Sequence, residues 1–211
     1  MAQAKDRTTK EKIFAASIDL FAKSGFKDVS MREIAAHVGI KASSLYKHYE
    51  SKEAILDHIF STFKEKMNQT AFPPEGLGDT MTSMTPEDFL NKSFDKFKTA
   101  MWDPEVVKIA KIITVEQQRN PSVRDFFIRE LIEKPNQTLR HAFDRMAESN
   151  LIDPADTGVL AEEYVAYVVS LYFEQNFLRE RLDLDEIDKK MKQHNDFYAR
   201  YILVRKGAPR K

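Results

Sequence analysis

Ser30 to Leu56 reads SMREIAAHVGIKASSLYKHYESKEAIL, and these residues decide the fold. The Ser30 hydroxyl can accept from the free N–H groups of a helix start, and Glu33 completes a capping box three positions on. The spacing predicts a helix from near Met31 with Met31, Ile34, Ala35 and Val38 facing inward. Gly39 stands where a helix end needs a left-handed residue. After a turn over about Gly39–Lys41, a second segment has little to bury beyond Ile40, Leu45 and Tyr49. It offers Lys41, Ser43, Ser44, Tyr46, Lys47 and His48 outward, a face better suited to a groove than to a core. Two short amphipathic segments around a glycine turn, the second polar and basic, have the form of a DNA-reading helix-turn-helix.

Upstream, Thr9 to Ser24 reads as a helix with Ile13, Ala16, Ser17, Leu20 and Phe21 on one side, closed by Gly25. Downstream, Ser51 is a plausible N-cap with Glu53 in the first turn. Ile55, Leu56, Ile59, Phe60, Phe63 and Met67 carry a stripe to about Asn68. Three helices share one small core, and the fourth is too long for it.

At this point the chain resembles the TetR family of one-component transcriptional repressors. The matches fall in the family's order: Ile13 and Ala16 with Leu20-Phe21, Gly25-Phe26, Ser30-Met31-Arg32-Glu33-Ile34-Ala35, Val38-Gly39-Ile40, Leu45-Tyr46, His48-Tyr49 and Ser51-Lys52-Glu53 with Leu56. The chain departs from the family's usual pattern at Ile40-Lys41-Ala42-Ser43-Ser44 and at Tyr49, where Phe is common. The resemblance implies an all-α fold of about nine helices: a helix-turn-helix domain over residues 1–52, linked by a long fourth helix to a helical effector-binding and dimerisation domain over 53–211.

Charge agrees with that division. The 211 residues balance 33 Lys and Arg against 33 Asp and Glu, yet residues 1–52 sum to +4 and residues 53–211 to −4. The basic portion is the one that would meet DNA. With no Cys there is no disulfide framework or thiol centre, and no early apolar run suggests export or membrane insertion, so a cytoplasmic location is the expectation.

Residues 71–86 gather Pro73, Pro74, Gly76, Gly78 and several hydroxyl residues and read as a long loop. Cap-then-proline starts at Thr85-Pro86, Asp103-Pro104, Asn120-Pro121 and Asp153-Pro154 open further helices, the third of which Pro135 should kink or divide. Tyr164 to Phe173 is crowded enough with Tyr, Val and Phe to read as a strand, but Glu162-Glu163 before it and Glu174, Arg179 and Glu180 after it extend helical composition. A last helix spans about Leu184 to Val204, with Ile187, Met191, His194, Tyr198 and Tyr201-Ile202 on one stripe.

The resemblance implies that the last two helices pair with their copies in a homodimer, with Val168, Tyr172, Met191, Tyr198 and Tyr201 as interface candidates; the alternative is that these stripes close the subunit's own core. A dimer would read double-stranded DNA as an inverted repeat with half-sites about 34–36 Å or a multiple apart. The resemblance places Ser30 and Arg32 near phosphates, with Arg32 able to reach a base edge, Lys41, Ala42, Ser43 and Ser44 at the base-reading end of the second segment, and Tyr46, Lys47, His48 and Lys52 on phosphates. It also implies a pocket for a small-molecule effector among the aromatic middle helices. Phe94, Phe97, Met101, Trp102, Phe127, Tyr164 and Tyr167 are candidate apolar walls, with Gln117, His141 and Asn176 as polar groups, and core packing is the competing role for each aromatic.

No cofactor or metal is expected. The chain lacks a Gly-rich phosphate loop, G-x-S-x-G, H-E-x-x-H and a Cys nucleophile, and its five His residues are scattered, so an enzyme is not expected. The function read from the sequence is a sequence-specific regulator, a repressor released from a palindromic operator by an apolar or aromatic effector. The alternative is an activator or adaptor of the same fold acting through protein contacts.

Overall fold

A computed structural model describes residues 8–70, 84–153 and 156–203. Residues 1–7 and most of the loop expected over 71–86 lie outside the described residues. Every regular element among the described residues is helical, including Tyr164 to Phe173. None of the described helices is long and apolar enough to cross a membrane.

By contacts the chain forms two compact units, one of residues up to Lys66 with Trp102–Asp125, the other of Met67–Met101 with Phe126 onward. This differs from a single cut after residue 52, because the chain returns to its first unit.

In the first unit, α1 (Thr9–Ser24) starts with a reciprocal capping box between Thr8 and Glu11 and buries Ile13, Ala16, Ser17, Ile18 and Phe21. α2 (Met31–Val38) repeats the device with Ser30 and Glu33, buries Met31, Ile34 and Ala35, and ends at Gly39 in the left-handed region, φ 76°. A side chain at that φ would be strained, which is why the turn carries glycine. α3 (Ala42–Tyr46) is little more than one turn and buries Leu45. The first part of α4 (Lys52–Thr70) adds Ile55, Leu56, Ile59 and Phe63 to the core. α5 (Pro86–Met101) belongs to the second unit. The chain then returns as α6 (Pro104–Glu116), capped by Asp103. It packs on α1 and is tied to it by Lys108 and Asp19, 2.6 Å apart.

The second unit holds α5, α8 (Lys134–Glu148), α9 (Thr157–Phe173) and α10 (Leu184–Phe197). α7 (Pro121–Ile128) enters α8 through a π-helical turn, Arg129–Glu133, in which the Lys134 N–H donates to the Arg129 carbonyl. Pro135 explains the widened turn. It has no N–H for the carbonyl four residues back and its ring crowds that carbonyl, so the kink expected at Pro135 takes the form of a π turn just before it. Further π turns end α9 at Glu174–Leu178 and α10 at Tyr198–Ile202.

A polar junction joins three helices of this unit. Tyr164 of α9 donates to Asn195 Oδ1 of α10 at 2.8 Å, and Asn195 Nδ2 donates to Asn91 Oδ1 of α5 at 2.8 Å. Asn195 is 1% exposed, so both bonds offset the cost of burying its amide.

Candidate nucleic-acid interface and cavity

α3 is fixed from below and free above. Leu45 is fully buried and Tyr49 nearly so, while Lys41, Ser43, Tyr46, Lys47 and His48 are exposed and Ala42 and Ser44 half-buried. Tyr46 is 53% exposed despite its size. Lys41 occupies the N-cap position without a side-chain cap bond, which leaves its ammonium to project from the end of the helix. Arg32 is exposed on α2. Ser30 is engaged: its Oγ accepts from the Glu33 N–H at 3.2 Å, and its own N–H donates to Glu33 Oε2 at 2.6 Å. The Ser30 hydroxyl and N–H both hold the Glu33 carboxyl below the usual carboxylate range.

Lys52 has a role the sequence did not suggest. Its ammonium donates to the carbonyls of Phe26 at 2.7 Å, Val29 at 2.8 Å and Lys27 at 3.3 Å, and sits 4.4 Å from the Phe26 ring centroid. A lysine has three N–H donors. All three close the α1–α2 loop onto the start of α4, so the expected phosphate grip gives way to a clamp.

Tyr49 is likewise a latch. Its hydroxyl lies 2.7 Å from His58 Nδ1 on α4, and the His58 ring packs 4.4 Å from Phe14 of α1. Burial pushes the Tyr49 hydroxyl up to about 12, and burial, with Lys10 nearby, lowers His58.

The second unit has a half-open cavity of about 220 Å³, lined by residues of α5, the π turn, α8, α9 and the end of α4. Of the ten effector candidates, Phe94, Phe97 and Tyr164 line it. The other seven are placed elsewhere. Met101 is fully buried, and Trp102 and Gln117 belong to the first unit. Phe127 packs edge-on to Phe173, Tyr167 stacks on His194 at 3.9 Å, and Asn176 donates to the Tyr172 carbonyl. His141 is exposed. Glu130, Leu131, Lys134 and Thr138, which the sequence does not single out, also line it.

The interface candidates also need correction. Val168 lines the cavity, and Tyr172, Met191 and Tyr198 are at most 3% exposed within the chain's own core, where a partner cannot reach them. Tyr201 is 60% exposed, next to Phe197 at 54% and Ile202 at 37%.

Residues 13–59 match the profile of the bacterial regulatory proteins of the tetR family. These residues form a DNA-binding domain of the tetR-family type. It is 28% identical over 161 residues to the HTH-type transcriptional regulator YerO of Bacillus subtilis, a match covering 74% of this chain and 50% of that protein. It is 40% identical over 48 residues to the HTH-type transcriptional repressor KstR2 of Rhodococcus jostii, covering 23% and 24% of the two chains. The chain thus spans about half the length of YerO and a quarter of KstR2. The structure of Salmonella enterica GusR superposes with a TM-score of 0.65 at 18% identity, over 96% of this chain and 99% of that one, a likeness of fold alone. These relatives are regulators, not enzymes.

Proposed function

We propose that the protein is a DNA-binding transcriptional regulator that acts as a homodimer on an inverted repeat and leaves its operator when a small molecule fills the second unit's cavity. The observation that carries this reading is the division of α3 into a buried side, Leu45 with Tyr49 behind it, and an open side of Lys41, Ser43, Tyr46, Lys47 and His48. Lys41 and Ser43, with Ser44, read base edges from the start of α3, while Tyr46, Lys47 and His48 hold phosphates. Arg32 reaches the backbone from α2. Lys52 supports this face from within.

The dimer forms through the apolar residues that the chain leaves uncovered at the end of α10: Phe197, Tyr201 and Ile202. Coupling runs through α4, whose first turns carry Ile55 and Leu56 of the helix-turn-helix core and whose end supplies Met67 and Asn68 to the cavity wall. An occupant releases DNA only insofar as it binds one dimer geometry better than the other.

Selection from a random duplex DNA pool at about 150 mM salt tests the reading, since non-specific phosphate binding is weak there. An enriched inverted repeat with half-site centres one turn or a multiple apart is the expected result; no enrichment at this or lower salt overturns it.

A further inference from the structure

The cavity divides into an apolar floor and a polar rim. Phe89, Phe94, Leu131, Tyr164, Val165 and Val168 line it and are buried. Asn68 and Gln137 are exposed and Lys134 and Thr138 half-buried, so the polar part of the lining is the part that reaches water. Deeper polar atoms are already engaged. The Ser93 hydroxyl donates to the Phe89 carbonyl at 2.7 Å and the Tyr164 hydroxyl to Asn195 Oδ1 at 2.8 Å.

Two residues of the lining carry charge, Glu130 and Lys134, and only one of them is open. The Glu130 side chain is 1% exposed; its Oε2 accepts from Lys134 Nζ at 2.5 Å and its Oε1 faces Arg129 Nε at 3.5 Å. The carboxylate is thus shut away between two cations. The Lys134 side chain, by contrast, is 40% exposed. Its ammonium has three N–H donors, and among the described residues it uses one of them, on Glu130. An entering molecule meets an ammonium with donors to spare and no accessible negative charge from the lining.

That asymmetry selects the head group. At the rim a charged group keeps part of its water, which avoids most of the cost of burying it. A carboxylate there takes a charge-assisted hydrogen bond from Lys134, stronger than a neutral oxygen would receive. An ammonium in the same place is repelled by Lys134 and finds the one carboxylate of the lining sealed. The floor and the volume select the body, because a dry cavity of about 150 Å³ accepts benzene and this one is about 220 Å³.

We propose that the occupant is a monocarboxylate with an apolar body of one-ring size, its body on the phenyl and aliphatic floor and its carboxylate on Lys134 Nζ at the rim. The proposal rests on reading this cavity as the effector site. Glu130 serves as the positioning residue: its bond holds the Lys134 ammonium at the cavity wall without itself meeting the ligand.

The test compares three molecules of one shape by calorimetry on the full chain at neutral pH and low salt: 3-phenylpropanoate, 3-phenylpropan-1-ol and 3-phenylpropylamine. The acid should bind about fivefold more tightly than the alcohol, as a part-exposed ion pair allows, and the amine more weakly than either. Added salt should narrow the acid-to-alcohol ratio, because a pair at the rim is screened. Lys134→Met combined with Glu130→Gln removes the ammonium without stranding a buried carboxylate, and should abolish the acid's advantage. Equal or tighter binding of the alcohol or the amine by the unaltered protein, or an advantage of the acid that survives in the double variant, overturns the head-group rule and leaves the cavity as a ligand site. Binding of none of the three overturns both readings. Should the double variant fail to fold, the salt response decides, and an acid-to-alcohol ratio that salt does not move overturns the rule.

Discussion

The open face of α3 and the cavity of the second unit are built in opposite ways. The first is a local object: Lys41 to His48 are consecutive, and one buried leucine with a tyrosine behind it fixes which side chains face out. The second is assembled from α4, α5, the π turn, α8 and α9, from Met67 to Val169, and no short segment contains it. A site made by one turn of helix takes its specificity from residue identity. A site made by four helices takes it from packing.

If that contrast holds, the α3 face should fail abruptly when its anchor is cut. Leu45→Ala removes a fully buried side chain and should cost about 2–5 kcal/mol, read from denaturant unfolding, with loss of specific DNA binding. A loss below about 1 kcal/mol would mean that the site collapses around the gap and that α3 is not held as described. Lys52→Met comes next. It removes the donor that closes three carbonyls of the α1–α2 loop, and about 1–3 kcal/mol should be lost because the bonds to Phe26 and Val29 are part-buried. Its salt slope for DNA should stay unchanged. A slope flattened by about one unit with stability intact would return Lys52 to the phosphates.

The sequence was readable where structure is local. Thr9–Ser24 and Met31–Val38 were bounded by Thr8, Ser30, Gly25 and Gly39, residues whose capping chemistry acts within four positions. Proline starts located the helices at Pro86, Pro104 and Pro121 for the same reason. Side chains facing a non-local cavity were harder. Tyr167 and Tyr164 are three apart on one helix, yet Tyr164 lines the cavity and Tyr167 stacks on His194, a choice set by the position of α10. Val168, Tyr172, Met191 and Tyr198 were offered for an interface because their stripes are apolar; the chain's own helices cover them. Glu130 carries no signal in sequence at all, since glutamate in a helix is ordinarily a solvated residue. Lys52 misled because a lysine beside a helix-turn-helix normally faces DNA, and its partners are carbonyls 23 to 26 residues earlier.

Lys47→Ala sharpens the contrast from the other side, since it should change affinity and leave the fold alone. Lys47 is exposed, so stability should move by no more than about 0.5 kcal/mol. Binding should weaken on cognate and scrambled DNA alike, with the slope of log K against log salt flattened by about one unit. A loss confined to the cognate sequence would make Lys47 a base reader.

The smallest expected effect is the dependence of the first unit on pH through His58. Burial lowers its pKa below the ordinary histidine value, with Lys10 adding to the shift and Glu65 opposing it. The neutral ring is therefore the form the fold prefers, with Nδ1 hydrogen-bonded to the Tyr49 hydroxyl. As pH falls through the unfolded-state value near 6.5, the unfolded chain takes up a proton that the folded chain does not, and stability declines. The decline ends once pH passes below the lowered folded-state value, where both states are charged. Unfolding measured from pH 8 to pH 5 should show this loss in the unaltered protein and a smaller one in His58→Gln, which retains a polar partner for Tyr49 but cannot titrate. Equal pH profiles for the two proteins would show that the latch does not discriminate between the ring's protonation states, and that packing against Phe14 is the whole of what His58 contributes.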